Sequence, residues 1–151
     1  MKGPAVRQGQ AIVEVIIAFA VAVVAIVGLV SVATKSVSNS GVSKRQSTAT
    51  AYATQAMEWV RQQRDVMSWT DFAEKVSAPS YCLGSTLPAP TSWPGAAASC
   101  GGCLVISNTE FTRCITLSSP GANQVQAIVT VTWPEGVRTM NTNQTTIFTG
   151  Y

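Results

Sequence analysis

The pattern of apolar and polar positions divides the chain into stretches of different character. From Val15 to Val30 every residue is apolar or glycine. Extending this block to Ala33 gives 19 residues, or about 28 Å of helix at a rise of 1.5 Å per residue. That length is close to the ~30 Å hydrocarbon core of a bilayer. The pattern therefore predicts a helix that crosses a membrane or lies in a packed bundle.

A second helical pattern follows a polar interruption. Residues 36–50 are rich in Ser, Thr and Gly, which are weak helix formers, and we expect the helix to fray there. After them, apolar residues at steps of three and four predict a stripe that packs on a sheet. The stripe comprises Ala49, Ala53, Ala56 or Met57, and Val60, flanked by Tyr52 and Trp59. We therefore interpret residues 10–66 as one long helix in two halves.

The C-terminal part of the chain predicts short strands. The clearest alternation runs from Val125 to Trp133, and residues 134–136 are expected to break it. Shorter strands are predicted at 104–106, 111–117 and 145–149, a short helix at 69–74 with Thr70 or Asp71 as its cap, and a loop at 77–103. The predicted fold is α+β, with a long N-terminal helix packed on an antiparallel sheet of three or four strands.

These patterns predict four consecutive regions. Residues 1–9 form a leader, and residues 10–34 form a transmembrane or assembly helix. Residues 35–67 form an amphipathic helix that continues into a head, and residues 68–151 form that globular head. Lys2 and Arg7 precede the apolar block, which favours an N-terminus in the cytosol and a head outside the cytoplasmic membrane.

Charge and composition exclude several functions. The net charge is +3, and the basic residues are scattered, so the chain lacks the basic stripe of a nucleic-acid-binding protein. The sequence has no histidine, its 7 carboxylates are dispersed, and no glycine-rich phosphate loop follows a strand. We therefore expect neither an enzyme nor a cofactor.

One carboxylate stands alone near the N-terminus. Glu14 is the only charged residue between Arg7 and Lys35. A carboxylate at mid-membrane costs about 2.5–3.5 kcal/mol on insertion scales, so it requires compensation. We hypothesise that a peptidase cuts after Gly9, which leaves a tight cleft unobstructed, and that Glu14 meets the freed amine of Gln10 in a neighbouring chain. Burying the two charges together is more tolerable than burying either alone.

Two simpler interpretations of the N-terminus remain open. An ordinary secretory signal would use Val15–Val30 as its apolar region and Ser31–Ala33 as a small-residue cleavage site. A plain single-pass anchor would keep the whole segment. Neither accounts for Glu14.

The four cysteines, Cys82, Cys100, Cys103 and Cys114, all follow the apolar block. In an exported head the default is two disulfides, and three pairings are open. A redox site at the Cys-x-x-Cys motif would need a βαβ setting, and a four-thiolate zinc site would need all four sulfurs to converge. The motif follows a loop and occurs only once, so we predict structural disulfides and no metal.

The stretch from Arg7 to Val15 resembles the cleavage and methylation motif of the type IV prepilin family. That family has a basic leader, glycine before the cut, glutamate as the fifth mature residue and an apolar helix. Residues 49–65 are similar to the lower helix of minor pilins and pseudopilins of the pilus-modification type. Residues 111–113 and 129–136 look like the sheet strands of that branch.

The resemblance implies a structural subunit of a type IV pilus or a type II secretion-like filament. It implies cleavage between Gly9 and Gln10, N-methylation of Gln10 and assembly through Glu14. The implied partners are the prepilin peptidase/methyltransferase, other pilin or pseudopilin subunits, the inner-membrane assembly platform and membrane lipid. The implied location is the cytoplasmic membrane and then a cell-surface or periplasmic filament.

The sequence also departs from the family. Gln10 stands where the family usually has Phe or Met, and Ser31 stands where many major pilins have proline, which fits pseudopilins better. The segment from Gly9 to Glu14 also resembles pseudopilins of tight-adherence pili, a subtype alternative. The alternative of another class is a membrane-anchored or secreted binding module that does not polymerise.

Overall fold

The computed structural model describes the backbone of residues 7–150 and the side chains of residues 10–150. The first six positions of the expected leader and Tyr151 lie outside the described residues. The chain divides into two compact units, residues 1–44 and residues 45–151. The fold is α+β, with a long N-terminal helix and a five-stranded antiparallel sheet.

Helix α1 runs from Arg7 to Val66, so the expected fraying at residues 36–50 is wrong. The intrinsic penalty of Ser, Thr and Gly is at most about 1 kcal/mol per residue. Extending an existing helix is much easier than nucleating one, and strong helical segments flank this stretch on both sides. The hydroxyl of Thr50 also donates to the carbonyl of Gln46 at 2.9 Å, one turn earlier in the helix.

Helix α2 runs from Trp69 to Glu74, as expected, but its cap differs from the prediction. Ser68, rather than Thr70 or Asp71, is the N-cap, and its hydroxyl accepts a hydrogen bond from the Asp71 backbone N–H at 3.1 Å. The cap lies two residues before Thr70 because Met67 already bonds back to the last turn of α1, leaving Ser68 as the extended residue between the helices.

The sheet has five strands instead of the expected three or four. They are β1 (Ser80–Cys82), β2 (Ala96–Ala97), β3 (Thr112–Ser118), β4 (Gln124–Glu135) and β5 (Arg138–Thr149). All neighbours pair antiparallel in the order β2-β1-β3-β4-β5. The additional strands β1 and β2 lie in the segment predicted as loop, where two or three residues are too few to give a periodic signal.

The strand expected at residues 104–106 does not form. Only Val105 bridges to Thr112, and Leu104 is 84% exposed. This segment immediately follows Cys103, which is disulfide-bonded to β1, so the chain is fixed there before it could lie along the sheet.

The alternation predicted in β4 is confirmed. Every second residue from Val125 to Trp133 is buried. The strand extends through Pro134 to Glu135, where the prediction placed a break. Beyond Thr132, β4 pairs only with β5, and proline is tolerated at such an edge position.

The inward side of β4 packs against the second half of α1. The predicted stripe of α1 is confirmed as a buried face. Its fully buried members are Ala49, Ala53, Ala56, Met57 and Val60. Three of these positions hold the small residue alanine, and Trp59 and Phe72 belong to the same core.

Strands β4 and β5 are joined by a two-residue turn. Glu135 pairs with Arg138, which leaves Gly136 and Val137 as the turn. Gly136 has φ +62°, a conformation that suits glycine at the first turn position, and Val137 is fully exposed. Strand β5 begins seven residues before the predicted strand. The prediction missed its first half because β5 is an edge strand whose first residues are polar and exposed, so they give no apolar alternation.

Candidate assembly helix and cysteine cluster

The first candidate site is the N-terminal part of α1. Gln10, Val13, Glu14, Ile17 and Ala18 line one face of this helix. Glu14 is exposed and forms no ion pair with any side chain of residues 10–150. The carboxylate therefore lies one turn from Gln10, on a face that is otherwise apolar or uncharged.

The apolar side chains around this carboxylate are all exposed. The large ones from Ile12 to Val32 have between 43% and 73% of their surface accessible. Within the described residues, α1 is the one helix long and apolar enough to cross a membrane, and no part of its most apolar stretch is buried. A soluble core helix would instead be mostly covered, so this surface needs lipid or other helices around it.

Two features make the apolar part of α1 suitable for close packing in an apolar environment. A Cβ placed on Gly28 would meet no atom within 4 Å, so the helix surface is open at this point. The hydroxyls of Ser31 and Thr34 donate to the carbonyls of Val27 and Val30, both at 2.9 Å. Their polar groups are thus satisfied inside the helix and need no water.

An ion-pair network lies where α1 enters the second unit. Arg45 Nε is 3.0 Å from Glu110, and its Nη1 is 3.0 Å from Glu135. The three side chains are between 26% and 42% exposed, so each pair contributes about 1 kcal/mol or less. The network joins α1 to the segment before β3 and to the end of β4.

The second candidate site is the cysteine cluster, in which all four cysteines are disulfide-bonded. Cys82 is bonded to Cys103, and Cys100 is bonded to Cys114. Cys82 and Cys114 also face each other across β1 and β3. The Cys-x-x-Cys motif forms a short 3-10 turn that both bonds attach to this strand pair.

Sequence reasoning missed the polar centre of the head. Arg113 is only 1% exposed, although it is charged, because it occupies one of the inward-facing positions of β3. Its Nη2 donates to the Gly84 carbonyl at 2.8 Å and its Nη1 to the Gln55 side chain at 2.9 Å. Burial lowers the pKa of Arg113. The sequence feature that could have located this buried arginine is its position between Phe111 and Ile115, which both face inward.

The four tryptophans contribute to packing. Trp59 and Trp133 are buried, and Trp69 and Trp93 pack partly buried against the same core. The ring of Trp93 lies 5.1 Å from that of Trp59 and 5.4 Å from that of Tyr81, by centroids. The Trp59 Nε1 donates to the Pro88 carbonyl at 2.8 Å, which holds the loop after β1 against α1.

Comparisons with protein-family models, with curated proteins and with solved structures find no match to this chain.

Proposed function

We propose that the chain is a structural subunit, a minor pilin or pseudopilin, of a type IV pilus or a type II secretion-like filament. In this proposal a prepilin peptidase cuts after Gly9, and the same enzyme methylates the new N-terminus at Gln10. The mature subunit is held in the cytoplasmic membrane by α1, with its head outside. An inner-membrane assembly platform then moves it into a cell-surface or periplasmic filament.

The observation that carries the proposal is Glu14, which is exposed and has no ion pair with any side chain of residues 10–150, on an exposed apolar stretch of α1. A carboxylate at this position does not stabilise a plain membrane anchor, whereas it can stabilise a polymer of helices. The amine of a neighbouring Gln10 would neutralise Glu14, and the pair would fix the axial register of the two helices.

In this proposal the subunits associate by exchanging contacts with lipid for contacts with neighbouring helices. Lipid tails are as apolar as the helix, so close packing of small residues, rather than hydrophobic expulsion, favours assembly. The open surface at Gly28 suits such packing. Contacts that repeat without closing produce a filament instead of a closed oligomer.

The test measures processing and assembly separately. Co-expression with a prepilin peptidase should give a mature chain that starts at Gln10 by mass spectrometry, and Gly9→Val should block the cut because its side chain obstructs the cleft. Glu14→Ala should leave cleavage intact and reduce the amount of subunit in sheared filaments at least tenfold.

Two control variants complete this experiment. Glu14→Asp retains the charge and should retain most of the assembly. Glu74→Ala removes an exposed head carboxylate and should assemble normally. Normal assembly of Glu14→Ala would contradict the proposed pairing. A functional chain that keeps its first nine residues, or that starts after Ala33, would instead support the anchored or secreted binding module.

A further inference from the structure

The two disulfides are interleaved along the chain. In sequence order the first cysteine pairs with the third, and the second pairs with the fourth. Joining cysteines to their nearest neighbours in sequence therefore never gives the native pairs. The native state requires a specific, non-consecutive connectivity.

The nearest neighbours are Cys100 and Cys103, separated by two glycines. The native bonds close segments of 21 and 14 residues. Loop-closure entropy favours the short closure by a factor on the order of ten or more in effective concentration. In the structure these cysteines already form one turn, in which Cys103 N–H donates to the Cys100 carbonyl at 3.3 Å.

The other two cysteines are brought together by the sheet itself. Cys82 and Cys114 are register partners across β1 and β3. Leu83 N–H donates to the Arg113 carbonyl at 2.9 Å, so the adjacent pair is the hydrogen-bonded one. Cys82 and Cys114 therefore occupy a non-hydrogen-bonded position, where Cα atoms are typically about 4.5 Å apart and disulfides fit.

We propose that the head oxidises first to the non-native pairs Cys100–Cys103 and Cys82–Cys114, and that a thiol–disulfide isomerase is a partner of this chain. The proposal rests on the disulfide connectivity and the strand register. It does not depend on the filament function.

The conversion balances without net oxidation. Each early pair forms when two thiols give two electrons and two protons to a disulfide oxidant, which becomes a dithiol. An isomerase thiolate then attacks Cys103 Sγ, forms a mixed disulfide and releases the Cys100 thiolate. That thiolate attacks Cys114 Sγ, forms the Cys100–Cys114 bond and releases the Cys82 thiolate. Finally the Cys82 thiolate attacks Cys103 Sγ, forms the second native bond and regenerates the isomerase thiolate.

Burial explains why this conversion requires a catalyst. In the folded head Cys114 is 2% exposed and Cys103 is 9% exposed. Thiolate attack needs access to sulfur, so a chain that closes its core with the wrong pairs exchanges slowly. The isomerase acts on the head before the turn from Cys100 to Cys103 is fixed against the sheet.

The experiment refolds the full reduced chain in detergent and glutathione buffer, with and without a purified thiol–disulfide isomerase. Samples are quenched by alkylation and digested under non-reducing conditions with chymotrypsin until it has also cleaved after leucine, because the bond after Leu83 is the one that separates Cys82 from Cys100. The native pairs join three peptides, because Cys100 and Cys103 stay on one peptide. The early pairs leave that peptide closed on itself and join the Cys82 and Cys114 peptides. Fragmentation spectra separate the native pairs from the third pairing.

We expect the early species to accumulate first, and the isomerase to accelerate its conversion at least tenfold. The control is a double variant, Cys82→Ser with Cys103→Ser, which retains only Cys100 and Cys114. Its single bond requires no rearrangement, so the isomerase should accelerate its formation much less than it accelerates the conversion of the early species. Direct appearance of the native pairs at a rate unaffected by the isomerase would overturn the proposal, as would non-native pairs in protein isolated from its host.

Discussion

Arg113 on β3 donates a hydrogen bond from Nη1 to the side-chain oxygen of Gln55 on α1 at 2.9 Å. Its other acceptors are the carbonyls of Gly84 and Tyr52, so its hydrogen-bond acceptors among residues 10–150 are all neutral. A buried guanidinium without a carboxylate is costly to desolvate, and it persists here because it joins three segments of the head. The Arg113 side chain thus links the helix, the central sheet and the segment after β1.

Truncation of Arg113 should destabilise the head. We expect Arg113→Ala to lower the free energy of unfolding by about 2–4 kcal/mol, because it leaves a cavity and unpaired acceptors. Arg113→Met should lose about 1 kcal/mol or less, because removing a desolvated charge offsets much of the lost hydrogen bonding. Urea unfolding in detergent, followed by tryptophan fluorescence, measures both. Equal losses in the two variants would contradict this account.

Alkaline pH should weaken the head through Tyr81. Burial raises the pKa of this phenol above the ordinary value of 10.0, while a contact with Trp93 acts in the opposite direction. The folded state therefore holds its proton more tightly than the unfolded chain. The stabilisation is complete below pH ~10 and is lost as the pH rises toward the folded-state pKa.

The variant Tyr81→Phe isolates that contribution. At neutral pH it should lose about 1 kcal/mol, because the phenol donates to the Lys75 carbonyl at 2.6 Å. Above pH ~10 its stability should fall less steeply than that of the unsubstituted chain. Unfolding midpoints measured from pH 8 to 11 test the difference, and parallel curves would rule out the role of Tyr81.

Loss of either disulfide should cost about 3 kcal/mol on the chain-entropy model. Replacing Cys82 and Cys103 by serine should cost slightly more than replacing Cys100 and Cys114, because the first bond closes 21 residues and the second 14. Unfolding of the two double variants gives the comparison. A loss below about 1 kcal/mol in both would indicate that the unfolded chain is not restricted by these bonds.

A side chain at position 28 should impair filament assembly without affecting the head. If neighbouring helices approach closely at Gly28, then Gly28→Leu should reduce the subunit recovered in sheared filaments at least tenfold. Val24→Leu is the matched control, since Val24 is 73% exposed on the same helix and already carries a branched side chain. Equal recovery of both variants would place the packing surface elsewhere.

Sequence periodicity predicted those parts of the fold in which several regularly spaced residues lie on the same face of a helix or strand. The alternation from Val125 to Trp133 predicted the central strand, and the stripe from Ala49 to Val60 predicted the packed face of α1; both are buried as expected. In each case five or more positions report the same face, so individual exceptions do not obscure the pattern.

Features that depend on very few residues, or on parts of the chain outside the local segment, were not predicted. Strands β1 and β2 are too short to alternate, and Arg113 occupies an inward position that a charge normally excludes. The disulfide pairing depends on which strands become neighbours, and four cysteines alone leave three arrangements open. The helix through residues 36–50 forms because its neighbours on both sides are helical, which local propensity does not include.

The turn between β4 and β5 has a practical consequence. Gly136 supplies the bend and has no side chain, and the Val137 side chain is fully exposed, so neither residue contributes to the core. Exposed loop tips of this kind accept additional residues with little loss of stability. A short reporter peptide inserted between Gly136 and Val137 would therefore be displayed on the head, and if the head lies outside the membrane as proposed, a labelled antibody would reveal it on intact cells.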